Sequence, residues 1–307
     1  MTERFHIQHL TRETIDATKW DDCISKASNG LIYAYSSYLD SMTRQWDALV
    51  LNDYEAVMPL TWNKKYGIAY LYQPFLTAQL GVFGIAITAE LVEQFLVEIP
   101  RQFRYWDIYL NHANLFPLQR FRLYERRNYV LNLNSPYETI YKKYRENIQR
   151  NIRKAEQSGC KPIKDFEVSK VIRLAVDQMN TYTKESAENV ERFSKLYAIL
   201  RADGKATTYG ITDTTGELIA SCVFIFSHNR AYYILVGNHP NGRTIGASHA
   251  LIDSFIKDHA GKNLLLDFEG SDIRNLAFFY SSFGAVEERF AGLKLNRLPF
   301  FLKWMKK

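Results

Sequence analysis

Between Ser135 and Gly159, four apolar or aromatic side chains (Ile140, Tyr144, Ile148 and Ile152) recur at every fourth position, with mostly polar residues between them. That period puts all four on one stripe and predicts an amphipathic helix. Ser135-Pro136-Tyr137-Glu138 reads as its start, a capping box with proline at the first helical position, and Gly159 as its stop. Two more helical stretches follow, over 168–184 and 187–202. The pattern then becomes strand-like over 207–211, 218–226 and 231–236, broken by the polar turns 213–216 and 228–230. A glycine-bearing loop, a helix over 246–259, a strand over 264–269, a short helix and a last strand over 286–296 complete the run.

The first half of the chain carries the same order. Strands are expected over 48–51, 56–62 and 68–72, separated by Asn52-Asp53 and by the turn 63–65. A helix over 88–99 follows, with Thr88 as its cap and Glu90 in its first turn, where a negative charge suits the helix dipole. A strand over 105–110 and a last strand over 123–134 close the half. The two ends also match in detail. Asn114-Leu115 follows the first strand and Asn275-Leu276 its counterpart, a Glu-Arg pair recurs at Glu125-Arg126 and Glu288-Arg289, and both runs end in Leu-x-Leu-Asn, at Asn134 and Asn296. The chain therefore reads as two copies of one α/β unit of mixed type, over 1–135 and 136–307, the last residues being candidates to pack back on the first unit. Each copy is expected to hold a mixed, mostly antiparallel central sheet flanked by helices.

Composition narrows the class. With 47% hydrophobic and 23% charged residues, the 307-residue chain can bury a core, which excludes a disordered or collagen-like protein. Cys23, Cys160 and Cys222 are dispersed with no metal or disulfide spacing, and the seven histidines form no ligand motif, so no metal is expected. The start of the chain lacks the apolar segment of a secretory signal, and no apolar run reaches the roughly 20 residues that span a bilayer, so a cytoplasmic location is expected. Charge is the uneven feature. The net charge is +6, yet the segment 101–154 alone carries 12 basic and 4 acidic residues. The positive charge thus surrounds the junction of the halves, and an anionic ligand there is the functional expectation. Arg126, Arg150, Arg153 and Lys154 are its substrate-binding candidates. RNA binding by this segment is a lesser alternative, because Tyr141 and Tyr144 fall on or near the buried stripe and leave few aromatic rings for stacking on bases.

Two motifs bear a resemblance. Arg243-Thr-Ile-Gly246-Ala247-Ser248, just before a helix, is similar to the loop with which GNAT acyltransferases hold the pyrophosphate of coenzyme A, with Ser248 where glycine or alanine is usual. Glycine at such a place lets backbone N–H groups approach phosphate at a helix N-terminus. Asn275 through Gly284 resembles the late GNAT motif, in which the tyrosine, here Tyr280, protonates the leaving thiolate. Two such units in one chain resemble the Fem-type peptidoglycan aminoacyltransferases and their shorter FemAB-like relatives, on residues 144–155 with Gly159, Asp267-Phe268-Glu269-Gly270, and Phe278-Phe279-Tyr280. Phe279-Tyr280 replaces the Phe-Lys of many Fem enzymes, which points away from an aminoacyl-tRNA donor. The resemblance implies a tandem GNAT fold and transfer of an acyl or aminoacyl group, from acyl-CoA (such as acetyl-CoA), to an amine, with a small molecule or cell-wall precursor as acceptor. It implies Arg243, Gly246, Ala247, Ser248 and Asn275 as donor-binding residues. The first half lacks the Arg-x-x-Gly-x-Ser form in its loop over 79–84, so its donor site is expected to be degenerate.

Direct attack by an amine needs a base, donors for the oxyanion and an acid. Glu269 is the first candidate for the base and Asp267 the second, two apart on a predicted strand and hence on one face. Tyr280 is the candidate acid. A non-catalytic anion-binding module that keeps the fold without the chemistry is the alternative reading.

Overall fold

A computed structural model of the chain describes residues 6–180, 187–270 and 272–299. In chain order the elements are β1 (Ile7–Thr11), α1 (Ala17–Lys26), α2 (Ser36–Met42), β2 (Gln45–Leu51), β3 (Ala56–Lys65), β4 (Ile68–Tyr72), β5 (Phe83–Gly84), α3 (Ala89–Glu98), β6 (Phe103–Tyr109), β7 (Tyr124–Asn132), α4 (Tyr137–Tyr141) and α5 (Glu146–Gln157). There follow β8 (Lys161–Lys164), α6 (Val168–Asn180), α7 (Ala187–Ala202), β9 (Ala206–Thr212), β10 (Leu218–Ser227), β11 (Arg230–Asn238), α8 (Pro240–Ile245), α9 (Ala247–His259), β12 (Leu265–Asp267), α10 (Arg274–Ser281) and β13 (Val286–Asn296).

The chain divides into two compact units, one of Met1–Arg126 with Arg289–Lys307 and one of Arg127–Glu288. In the first, the strand order is β1-β2-β3-β4-β6-β13, with β5 on β3. Only the β4–β6 pairing is parallel, because α3 makes the crossover between them. In the second the order is β7-β12-β11-β10-β9-β8, and again one pairing, β11–β12, is parallel, with α9 in the crossover. Both units are thus mixed, mostly antiparallel sheets flanked by helices, as the hydrophobic pattern and the resemblance imply. The closing strands are exchanged. Residues 130–132 of β7, from the first half of the sequence, pair with β12 in the second unit, while residues 292–296 of β13 pair with β6 in the first.

Burial follows the predicted stripes. Leu91, Val92, Phe95 and Leu96 of α3 join Leu49, Phe103 and Trp106 in the first core, and Thr88 caps α3 by accepting the Leu91 N–H at 3.2 Å. In the second core, Ile140, Tyr144, Ile148 and Ile152 meet Leu251, Phe255 and Phe224, whose rings with Phe255 stack 3.6 Å apart. Each such side chain contributes about 1.5–3 kcal/mol by leaving water.

The structure corrects several expectations. The helix read over 135–159 is two helices, α4 and α5, separated at Arg145, whose extended backbone donates its N–H to the Ser282 carbonyl at 2.9 Å. The stripe stays buried because both pieces lie on the same core. The Ser135 capping box is not made, since Pro136 is the N-cap of α4 and no side chain caps it. Strands β1 and β8 were not legible as strands. Both are short edge strands carrying polar residues, held by pairing with β2 and β9. Of the helix read over 168–184, residues 181–184 lie outside the described residues, as do the first five residues of the chain. The strand read over 264–269 stops at Asp267, and Glu269 has left-handed backbone, φ +65°, so the two carboxylates do not share a strand face.

Candidate active site

Strands β11 and β12 are paired only at their starts, Arg230 with Leu265, Ala231 with Leu266 and Tyr232 with Asp267. Beyond that point β12 ends and β11 continues to Asn238. On its other side β11 carries a bulge. Val223 of β10 pairs with Ile234 but Ser221 pairs with Gly237, so β11 holds one extra residue, and Leu235 lies at φ +50°. A bulge re-aims the backbone and leaves a residue out of the ladder. No side-chain pattern marks this feature, and the sequence reading missed it.

Helix α6 lies directly on the bulged end. A Cβ at Gly237 would come within 2.6 Å of the Ala175 nitrogen, so only glycine lets the two backbones approach. Asn238 joins the neighbouring elements. Its N–H donates to Gln178 Oε1 of α6 at 2.7 Å, and its side-chain oxygen accepts from the Ser248 hydroxyl of α9 at 2.5 Å. The Ser221 hydroxyl, fully buried opposite Gly237, has no hydrogen-bond partner.

The segment expected to be an open glycine loop is different. Arg243, Thr244 and Ile245 belong to the short helix α8, which Gly246 ends at φ +84° while donating its N–H to the Gly242 carbonyl. A Cβ at Gly246 would lie 2.4 Å from the Asn151 carbonyl oxygen of α5, so this glycine serves close helix packing. The 13-residue α9 starts immediately after it. Ala247 is fully buried, Ser248 is half-buried and Arg243 is exposed. Lys154 donates to the Thr244 carbonyl at 2.7 Å, bracing the end of α8. His249, in the first turn of α9, meets Phe279 of α10 edge-on at 4.9 Å, which brings these two helices together. Burial alone pushes this imidazole down to about 4, and its Nδ1 is buried without a partner.

Tyr280 sits on α10, 8% exposed, stacked on Phe268 at 4.6 Å and edge-on to Tyr233 at 6.5 Å. Burial first, and the Glu269 charge second, push its phenol well above the ordinary tyrosine range. Glu269 itself is half-buried. Asn275 is exposed in the first turn of α10.

Asp267 has a different surrounding. It is 1% exposed and accepts three hydrogen bonds, from Arg230 at 2.6 Å, Asn128 at 2.9 Å and the Glu269 backbone N–H at 2.8 Å. Arg230 also forks onto Glu288, two bonds of 2.9 Å, and Asn128 donates to Glu288 at 3.1 Å. Burial opposes the Arg230 charge, but Asp267 and Glu288 outweigh it and raise its pKa. A carboxylate so buried and so tightly partnered is closed to a substrate amine and instead holds the Glu269 backbone in place. Arg230, Glu288 and Asn128 were not singled out from sequence, since separations of up to 160 residues hide the group.

Of the basic candidates, Arg150 and Arg153 are exposed on α5 beside Lys154. Arg126 falls in the first unit, its guanidinium 4.0 Å from the centre of the Tyr109 ring. Among the described residues no group of three or more His, Cys, Asp or Glu side chains could hold a metal ion, and no helix is long and apolar enough to cross a membrane.

Residues 142–272 match the acetyltransferase (GNAT) domain family. Among solved structures, the chain is similar to FemX, with TM-score 0.63 and 10% identity over 92% of this chain and 96% of the other. It is similar to the C-terminal DUF2156 domain of a lysylphosphatidylglycerol synthetase from Agrobacterium fabrum, with TM-score 0.59 and 10% identity over 92% of each chain. A third is L-PGS from Bacillus licheniformis, with TM-score 0.51 and 13% identity over 85% and 87%. At such identities the likeness is one of fold. No curated protein matches the sequence.

Proposed function

Because residues 142–272 carry a GNAT acetyltransferase domain on a FemX-like fold, we propose that this protein is an N-acyltransferase that moves an acyl group from acyl-CoA to an amine without a covalent enzyme intermediate. The observation that carries the reading is the parting of β11 from β12 beside the start of α9, with Glu269 and Tyr280 at the parted end. The donor supplies an acyl carbon activated as a thioester. The first turn of α9 offers a partial positive charge and the half-buried backbone at Ser248 to its pyrophosphate, the buried Ala247 serving to pack that turn, and the exposed Arg243 adds a full charge. Asn275 borders the same region through the packing of α9 on α10.

Glu269 accepts the proton of the attacking amine. Asp267 is a positioning residue, because its bond to the Glu269 N–H keeps that carboxylate at the left-handed turn. Backbone at the Leu235 bulge donates to the carbonyl oxygen as it becomes negative. Tyr280, kept protonated by burial, gives its proton to the leaving thiolate. Arg150, Arg153 and Lys154 attract an anionic acceptor, for which a cell-wall precursor amine is the class the FemX likeness suggests, and the reaction is assigned to the cytoplasm. Acyl-CoA is preferred to aminoacyl-tRNA because tyrosine, not lysine, follows Phe279.

The helical state of Arg243–Ile245, where an open loop was expected, favours one competing reading, an anion-binding module without turnover. One experiment separates them. Acetyl-CoA at 100 times its dissociation constant should add about 2.7 kcal/mol of stability, and free thiol should appear when amine is supplied. Stabilisation without thiol release would sustain the module, and neither effect with any acyl-CoA would overturn both readings.

A further inference from the structure

The first unit contains a depression of about 560 Å³ where α3 ends, β6 begins and β13 leaves the sheet. Four arginines line it, Arg101, Arg104, Arg120 and Arg297, over an apolar floor that includes Ile99 and Phe121. No acidic residue lines it. Three separate stretches of chain deliver these arginines, and the backbone fixes them: the Arg297 N–H donates to the Arg104 carbonyl at 2.7 Å, and the Arg120 N–H to Glu93 Oε1 at 2.5 Å. The Arg297 guanidinium lies 5.0 Å from the centre of the Trp106 ring. Among the described residues, none of the four guanidiniums forms an ion pair with a carboxylate. The other acid near the end of α3, Glu98, accepts a hydrogen bond from Gln94 at 2.9 Å.

Ordinary surface arginines are interspersed with acids. Here four like charges share one concavity, and against them stand about half a negative charge from the C-terminus of α3 and the single carboxylate of Glu93 at its edge. An apolar floor lowers the local dielectric and strengthens attraction for an anion. Guanidinium forks match phosphate oxygens in pairs, as point charges do not. The volume falls within the roughly 300–1,000 Å³ of small-ligand sites. We propose that this depression is a binding site for a phosphate-bearing small anion of the di- or triphosphate class.

The test is calorimetric titration of the full chain with inorganic pyrophosphate, in wild type, in Arg101→Gln, Arg120→Gln and Arg297→Gln variants, and in the triple variant that combines them. The arginines are exposed, so the variants should fold, and circular dichroism checks this. Saturable binding is expected, weakened about tenfold by each substitution, partly restored by Arg120→Lys, and weakened by added salt. Acetyl-CoA binding should be unchanged in the same variants, because this site does not involve the second unit. Undiminished pyrophosphate binding in the triple variant would overturn the proposal, as would no saturable binding in the wild type. Binding to phosphatidylglycerol vesicles without binding to pyrophosphate would overturn it in favour of a membrane surface.

Discussion

At the scale of single residues, the two neighbouring carboxylates have opposite fates. Asp267 is buried and enclosed by Arg230 and Asn128, while Glu269, two residues on, keeps a half-exposed side chain on strained backbone. Asp267→Ala should therefore cost about 1–3 kcal/mol, since it removes one of the two carboxylates that hold the buried Arg230 and leaves only Glu288; chemical denaturation measures this, and a loss below 1 kcal/mol would show the cage to be dispensable. Glu269→Gly should behave otherwise. Left-handed backbone costs a residue with a side chain roughly 1–2 kcal/mol, so the glycine variant should be at least as stable as wild type while thiol release falls to background. Tyr280→Phe should lower turnover by about 10²–10⁴-fold with little change in stability, read from steady-state rates and the unfolding midpoint together.

At the scale of elements, the junction of α8 and α9 decides how the donor-binding end of α9 is presented. Gly246 is required there twice, by its φ of +84° and by the Asn151 carbonyl that a Cβ would strike. Gly246→Ala should destabilise by more than about 1 kcal/mol and weaken acetyl-CoA binding, because α9 must shift away from α5. The glycine was legible in the sequence as a loop residue before a helix. Its purpose was not, since a contact with residue 151 has no local signature. The same holds for the bulge at Leu235, which depends on the register of β10 and on the approach of α6 at Gly237.

For the whole molecule, stability should depend on pH through His249. Unfolded, the imidazole titrates near 6.5, and buried at about 4. As pH falls between these values the unfolded chain takes up a proton that the folded chain does not, so stability is full above about 6.5 and declines toward 4 by about 3 kcal/mol. Comparing unfolding midpoints of wild type and His249→Gln across this range checks it, and equal slopes would refute it. The strand exchange has its own consequence. Fragments 1–134 and 135–307 each keep the strand that pairs in the other unit, so each should expose unpaired edges and aggregate when expressed alone.

The sequence by itself determined the two-fold plan, the helices over 88–99, 187–202 and 246–259, the central strands, the GNAT-like order and the identity of Glu269 and Tyr280 as candidates, because these rest on local periodicity and short motifs. Only the tertiary structure decided where the repeat's closing strands pair, that the stripe over 140–152 spans two helices, that Asp267 is caged, and that four arginines from distant segments share one depression. Those outcomes depend on pairing, burial and charge between residues far apart in the chain, and no local pattern records them.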